Sequence, residues 1–346
     1  MSLVIPRPFR VWPKEVKNLS PSQIVRAYTE GLAGCGRDDD ASARFDSMME
    51  WPNGEDAAHH FGLADSAAGE LVIPFTHILR LYPGCLPGPA QDRGDCVSHN
   101  EKNALLTVHC CDIVANKPDE ETGRFEGTVE IAPQGVAEGV FSTEAIYWWR
   151  RHGGDGWSCE AAANVAIKES GAWIRQNYPE LGVDLTSYSG SMAGKYGRSI
   201  PPENFQAQGV KNLARQATRL ESFEAIRDYL KSGYGIGSCG SEGFSRERDA
   251  NGVSNRSGKW AHAMAILGAD DRPEIKAVYS EPLLLIQNSW SVFNQGPRRI
   301  LGTNIDIPEG SFWARWSDVK NRRYIAHSSI NGWPRRDLPN WLGGWK

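Results

Sequence analysis

The sequence has no long apolar run. Its longest stretches are short, such as Pro282-Leu-Leu-Leu-Ile286, so no segment can span a bilayer as a helix. The first residues, Met-Ser-Leu-Val-Ile-Pro-Arg-Pro-Phe-Arg, lack the basic start and apolar stretch of a secretory signal. Charge of one sign is also missing. There are 38 Lys and Arg against 42 Asp and Glu, a net −4, which gives no field for polyanions and disfavours a nucleic-acid partner. The seven cysteines (35, 85, 96, 110, 111, 159 and 239) are odd in number and show no framework spacing. Together these features point to a cytoplasmic or intracellular, reducing compartment and to at least one thiol free for chemistry. What is present is ordinary: 346 residues, 40% hydrophobic and 23% charged, enough for one large domain or two.

Ser20-Pro21-Ser22-Gln23 reads as a capped helix start. His59-His60, beside Glu55 and Asp56, reads as an exposed helix end rather than a metal site, since no third ligand stands at a usable spacing. Pro83, Pro87 and Pro89 with Gly84 and Gly88 form a stiff linker. From Cys96 to Ala115 there is no Gly or Pro, and Asp95 suits the N-cap, so a helix starts with a cysteine in its first turn. Ala104, Leu105, Val108, Cys111 and Ile113 would be its buried side. Ser142 or Thr143, then Ser158 and Ser222, open further helices, the last ending at Gly233. Residues 183–210 are polar and read as a long surface excursion. Trp260–Leu267, broken at Gly268, then Leu283–Asn288 and Ser311–Trp316 read as antiparallel strands. Helices first and strands later make the chain α+β.

Cysteine attacks carbonyls as its thiolate, which a helix N-terminus and an imidazolium both favour. Cys96 has the first device. His262, between Ala261 and Ala263, can supply the second from a strand. Asn288, at the end of the next strand, can hold the imidazole in the correct tautomer, with Ser289 and Trp290 in support and the indole shielding the amide. Gln91 and the Cys96 amide could hold an oxyanion. His99, three residues after Cys96, competes for the base but would point away from a neighbouring strand. The other histidines (77, 109, 152 and 327) read as structural.

Gln91, Gly94-Asp95-Cys96 opening a helix, His262-Ala263 on a strand and Ile286-Gln-Asn-Ser-Trp290, in this order, resemble the papain-like cysteine peptidases. Gly153-Gly154 before a helix resembles that family's substrate strand, and Tyr234-Gly-Ile-Gly237 its lead into the right-hand lobe. The resemblance runs from about Gln91 to Trp316. It implies a two-lobed fold with a helical left lobe, the central helix starting at Cys96, and a β-barrel-like right lobe. It also implies a polypeptide substrate paired along Gly153 and Gly154, and no cofactor or metal. Residues 86–325 would be the papain-like domain, 1–85 an N-terminal arm, pro-segment or assembly region, and 326–346 a Trp-rich tail.

Several positions depart from the family. Gln91 lies one residue nearer the cysteine than usual, and Val97 replaces an aromatic. Asp95 sets a carboxylate beside the nucleophile, which opposes a thiolate if it faces the sulfur. Arg93 takes the place of a disulfide cysteine, and the 26-residue gap from His262 to Asn288 implies a longer hairpin. Three functions stay open at this point. One is a thiol peptidase. Another is a structural, virion-associated protein of phage or viral origin on the same fold, with assembly partners at 1–85 and the tail. The third is a cell-wall peptide hydrolase with an Asp-Cys nucleophile, against which Asn288-Ser289-Trp290 argues.

Overall fold

Serine caps set the helices of the first half. Ser142, Ser158 and Ser222 each accept a hydrogen bond from the backbone N–H three residues on, at 3.1–3.3 Å. The computed structural model describes residues 64–115, 127–129, 131, 136–151, 153–215, 217–328 and 330. The helix expected after Ser20, the His59-His60 pair and most of the Trp-rich tail lie outside these. In chain order come β1 (Leu71–Val72), α1 (Phe75–Leu81), α2 (Cys96–Ala115), α3 (Thr143–Tyr147), α4 (Cys159–Lys168), β2 (Asn177–Tyr178) and β3 (Val183–Asp184). Next are α5 (Gly190–Tyr196), α6 (Glu203–Gly209), β4 (Ala217–Leu220), α7 (Phe223–Lys231), β5 (Gly235–Arg248), β6 (Ser254–Asp270) and α8 (Pro273–Tyr279). The chain closes with β7 (Leu283–Gln287), β8 (Ser311–Arg315), α9 (Trp316–Val319) and β9 (Arg323–His327).

One antiparallel sheet organises the second half, in the order β4-β9-β5-β6-β7-β8, with β1 paired to the end of β6. Both of its faces are covered. Along β7, Leu283 and Leu285 enter one core with α1 to α4, while Leu284 and Ile286 enter the other with α7. In β8, Trp313 joins the first core, Phe312 and Ala314 the second. A strand buried on both faces must be apolar throughout, which is why β7 reads Leu-Leu-Leu-Ile. Each such side chain contributes roughly 1.5–3 kcal/mol when fully buried.

The central helix α2 lies against β5, and two glycines allow it. A Cβ on Gly235 would stand 1.8 Å from the Ala104 carbonyl oxygen, and one on Gly237 would stand 2.6 Å from the Asn100 side chain. Asn100 then accepts from Ser238 N at 3.0 Å. Every residue of α2 from Cys96 to Ile113 is buried, which corrects the expectation of a single buried side. Some of its polar side chains meet distant elements: Glu101 Oε1, for example, lies 2.8 Å from His327 Nε2.

Four other expectations need correction. The sheet is open, with β4 and β8 as its edges, so the right lobe is no closed barrel. β6 is not broken at Gly268; it absorbs a register shift between Ile266 and Gly268 and continues to Asp270. The long link to β7 holds α8. Residues 183–210 carry β3, α5 and α6 rather than a bare surface excursion. Finally, a disulfide joins Cys159 on α4 to Cys239 on β5, with Cα atoms 6.2 Å apart. Eighty residues separate the two, which is why no local spacing announced the pair.

Candidate active site

Register delivers one half of the site. β6 and β7 pair with Ala265 opposite Gln287. Continued one step, that register sets Asn288 diagonal to His262; continued further, it sets Trp290 opposite His262. The structure brings all three together. His262 Nε2 and Asn288 Oδ1 are 3.0 Å apart and buried. The Trp290 ring stacks on the imidazole at 4.5 Å and 27°, and Trp260 packs edge-on behind it. A carboxamide oxygen accepts, so Nε2 carries the ring proton and Nδ1 is the basic nitrogen. Burial pushes the imidazole down to about 3; the Asn288 bond pulls it up and the Arg322 charge pushes it further down. Arg322 was not singled out in the sequence. Its guanidinium is buried under β6, donating to the His262 carbonyl at 2.9 Å and to Ser238 Oγ at 3.2 Å, and paired with Glu242 at 3.3 Å.

Cys96 is the first residue of α2 and fully buried. It is itself disulfide-bonded, so nucleophilic chemistry at this sulfur requires prior reduction. With Cys159–Cys239, this takes Cys96 out of the free thiols expected; among the described residues the free cysteines are Cys85, Cys110 and Cys111.

The loop before Cys96 is tied to the residue after Asn288. Gln91 N donates to Ser289 O at 2.9 Å, and Ser289 Oγ donates to Gln91 Oε1. Gln91 Nε2 donates to Arg93 O at 2.7 Å. The expected oxyanion glutamine is therefore oriented by its own loop and by Ser289, with one of its two Nε2 hydrogens engaged by Arg93.

Asp95 opens α2 through its carbonyl, which accepts from Ser98 N at 2.9 Å and His99 N at 3.2 Å. Its carboxyl is turned elsewhere. Oδ2 accepts from Tyr188 Oη at 2.9 Å and lies 3.8 Å from His99 Nε2. Burial drives this carboxyl well above the ordinary range, against the Tyr188 bond. Burial thus disfavours the charged carboxylate, and Oδ2 is spent on Tyr188. His99 is buried edge-on to Tyr188, and burial drives it well below its usual value. Tyr188 fell in the supposed surface excursion, where no motif marked it.

Gly153 and Gly154 part company: Gly153 is exposed, with open space where a Cβ would stand, while Gly154 is buried. Their loop is docked on the turn before Cys96. Gly156 N donates to Gly94 O at 3.0 Å, Tyr147 Oη donates to the same oxygen at 3.2 Å, and Arg93 pairs with Asp155 at 3.4 Å. Among the described residues no cluster of three or more His, Cys, Asp or Glu could hold a metal ion, and no helix is long and apolar enough to cross a membrane.

No protein-family model matches the chain, and no curated protein matches it in sequence. Among solved structures it is similar to xylellain, a cysteine protease from Xylella fastidiosa, at 15% identity over 72% of this chain and 85% of that one, with a TM-score of 0.43. It is also similar to procathepsin B S9 from Trypanosoma congolense, at 11% identity over 75% and 77%, with a TM-score of 0.42.

Proposed function

We propose that the chain is a papain-like cysteine peptidase. The observation that carries this is the buried His262–Asn288 bond under Trp290, set beside the loop that leads into Cys96. Once reduced, Cys96 gives its proton to His262 Nδ1. The thiolate attacks a peptide carbonyl, and the oxyanion that forms takes hydrogen bonds from the Cys96 N–H and from Gln91 Nε2. The imidazolium returns the proton to the leaving amine as the C–N bond breaks, leaving a thioester. Water, deprotonated by Nδ1, then hydrolyses the thioester and frees the sulfur. Asn288 holds the ring through both proton transfers, and Trp290 keeps water from their bond. The exposed backbone at Gly153 offers hydrogen-bonding groups to an extended polypeptide.

The test is casein hydrolysis by the full chain after reduction, compared with Cys96→Ala and His262→Ala. Cleavage by the wild type and none by either variant is expected. Equal cleavage by wild type and Cys96→Ala, or none by reduced wild type, would overturn the proposal.

A further inference from the structure

The four residues Asp92 to Asp95 decide where the sulfur and amide of Cys96 stand. One phenol oxygen grips both ends of that turn. Tyr188 Oη accepts from Asp92 N at 3.1 Å and donates to Asp95 Oδ2 at 2.9 Å, across more than ninety residues of chain. It also lies 3.3 Å from Asp92 Oδ1. Asp95 Oδ1 has no hydrogen-bond partner among the described residues, so Tyr188 is the principal hold on that carboxyl.

The phenol is stiffly mounted. Tyr188 N donates to Glu138 Oε2 at 2.9 Å, and its ring meets His99 edge-on at 5.0 Å. The next residue, Ser189, donates its N–H to buried Glu144 at 2.8 Å, and its hydroxyl caps α5. That helix then lies against the same turn. A Cβ at Gly190 would stand 1.2 Å from Asp92 Oδ1, and one at Gly194 would stand 1.4 Å from Arg93 Nη1. A helix bearing two glycines in seven residues has poor intrinsic propensity. What those glycines permit here is contact with the turn before Cys96.

We propose that Tyr188 is a positioning residue for the nucleophile: by joining the Asp92 N–H to the Asp95 carboxyl it fixes the turn that presents the Cys96 sulfur and amide to a substrate carbonyl. This rests on the peptidase function proposed above. A phenol that clamps a turn raises the fraction of time spent in the reactive geometry. Its loss therefore acts on kcat more than on KM.

The test uses the reduced full chain, casein as substrate and iodoacetamide as thiol probe, with the Cys96 peptide followed by mass spectrometry. Tyr188→Phe keeps the ring and removes the grip. It is expected to lower kcat and the Cys96 alkylation rate at neutral pH together by about tenfold or more, with KM changed less than about twofold. Asp95→Asn keeps an acceptor for the phenol and is expected to stay within about threefold of wild type, whereas Asp95→Ala falls with Tyr188→Phe. Should Tyr188→Phe fail to fold, the Asp95→Asn and Asp95→Ala pair carries the same comparison. A reactive wild-type Cys96 with unchanged kcat and alkylation in Tyr188→Phe, or equal losses in Asp95→Asn and Asp95→Ala, overturns this role alone. An unreactive wild-type Cys96 overturns the peptidase function, and this role with it.

Discussion

Replacing Glu144 with alanine should cost this protein a large part of its stability. Both Glu144 and Arg175 are buried, and their side chains meet at 3.1–3.3 Å. The carboxylate also accepts from Ser142 Oγ, Thr143 Oγ1 and Ser189 N. Once the carboxylate is gone, Arg175 keeps, among the described residues, the carbonyls of Glu138 and Leu185 as its remaining hydrogen-bond partners. A buried guanidinium stripped of its counter-ion costs about 3–5 kcal/mol. An orphaned Ser189 N–H adds roughly 1–3 kcal/mol if it finds no water. Against a net stability of about 5–15 kcal/mol, the sum of about 4–8 kcal/mol removes roughly a quarter or more. Urea unfolding followed by tryptophan fluorescence measures it directly. Replacing both partners, Glu144→Leu with Arg175→Met, should recover most of the loss, because no charge then stays buried alone. A single Glu144→Ala loss below about 1 kcal/mol, or a double variant as unstable as the single, would refute the reasoning.

Two other perturbations follow from the same contacts. Burial holds the His109 and His262 imidazoles down to about 3, far below the ordinary 6.5. Both are neutral in the folded chain, and the unfolded chain takes up protons first. Their contribution is therefore complete above about pH 6.5 and declines as pH falls toward 3. The urea midpoint should fall across that window, with a shallower slope in His109→Gln; equal slopes in the two proteins would contradict the assignment. Glycine substitutions should split sharply. Gly235→Ala drives a Cβ into the α2 backbone at Ala104 and should unfold the chain at a markedly lower temperature, whereas Gly153→Ala meets nothing within 4 Å and should leave the melting temperature unchanged. Similar melting temperatures for the two variants would contradict the close approach of α2 to β5.

Much of the site is legible in the sequence because it is written locally. The run from Cys96 to Ala115 holds no helix breaker, and α2 has those same bounds. His262 among alanines and Asn288-Ser289-Trp290 at a strand end declare a ring, a carboxamide and a cover, and the sheet register brings them into contact. What escapes sequence reasoning depends on partners far along the chain. Polar residues of α2 such as Asn100 and Glu101 look exposed until β5 and β9 supply their partners. The glycines of α5 look like breakers until Asp92 and Arg93 lie against them. Tyr188 and Arg322 sit in polar stretches whose periodicity says nothing of burial, and Cys159 finds Cys239 across two elements. The register shift that carries β6 past Gly268 likewise depends on β7 rather than on β6.

The central claim is that Cys96 and His262 share a proton. The most direct measurement is the rate of Cys96 alkylation by iodoacetamide against pH, in the reduced full chain and in His262→Ala and Asn288→Ala. A shared proton predicts fast alkylation persisting well below neutral pH, abolished in His262→Ala and weakened in Asn288→Ala. A rate that rises only above about pH 8, as for an isolated thiol, and that is the same in all three proteins, would contradict it.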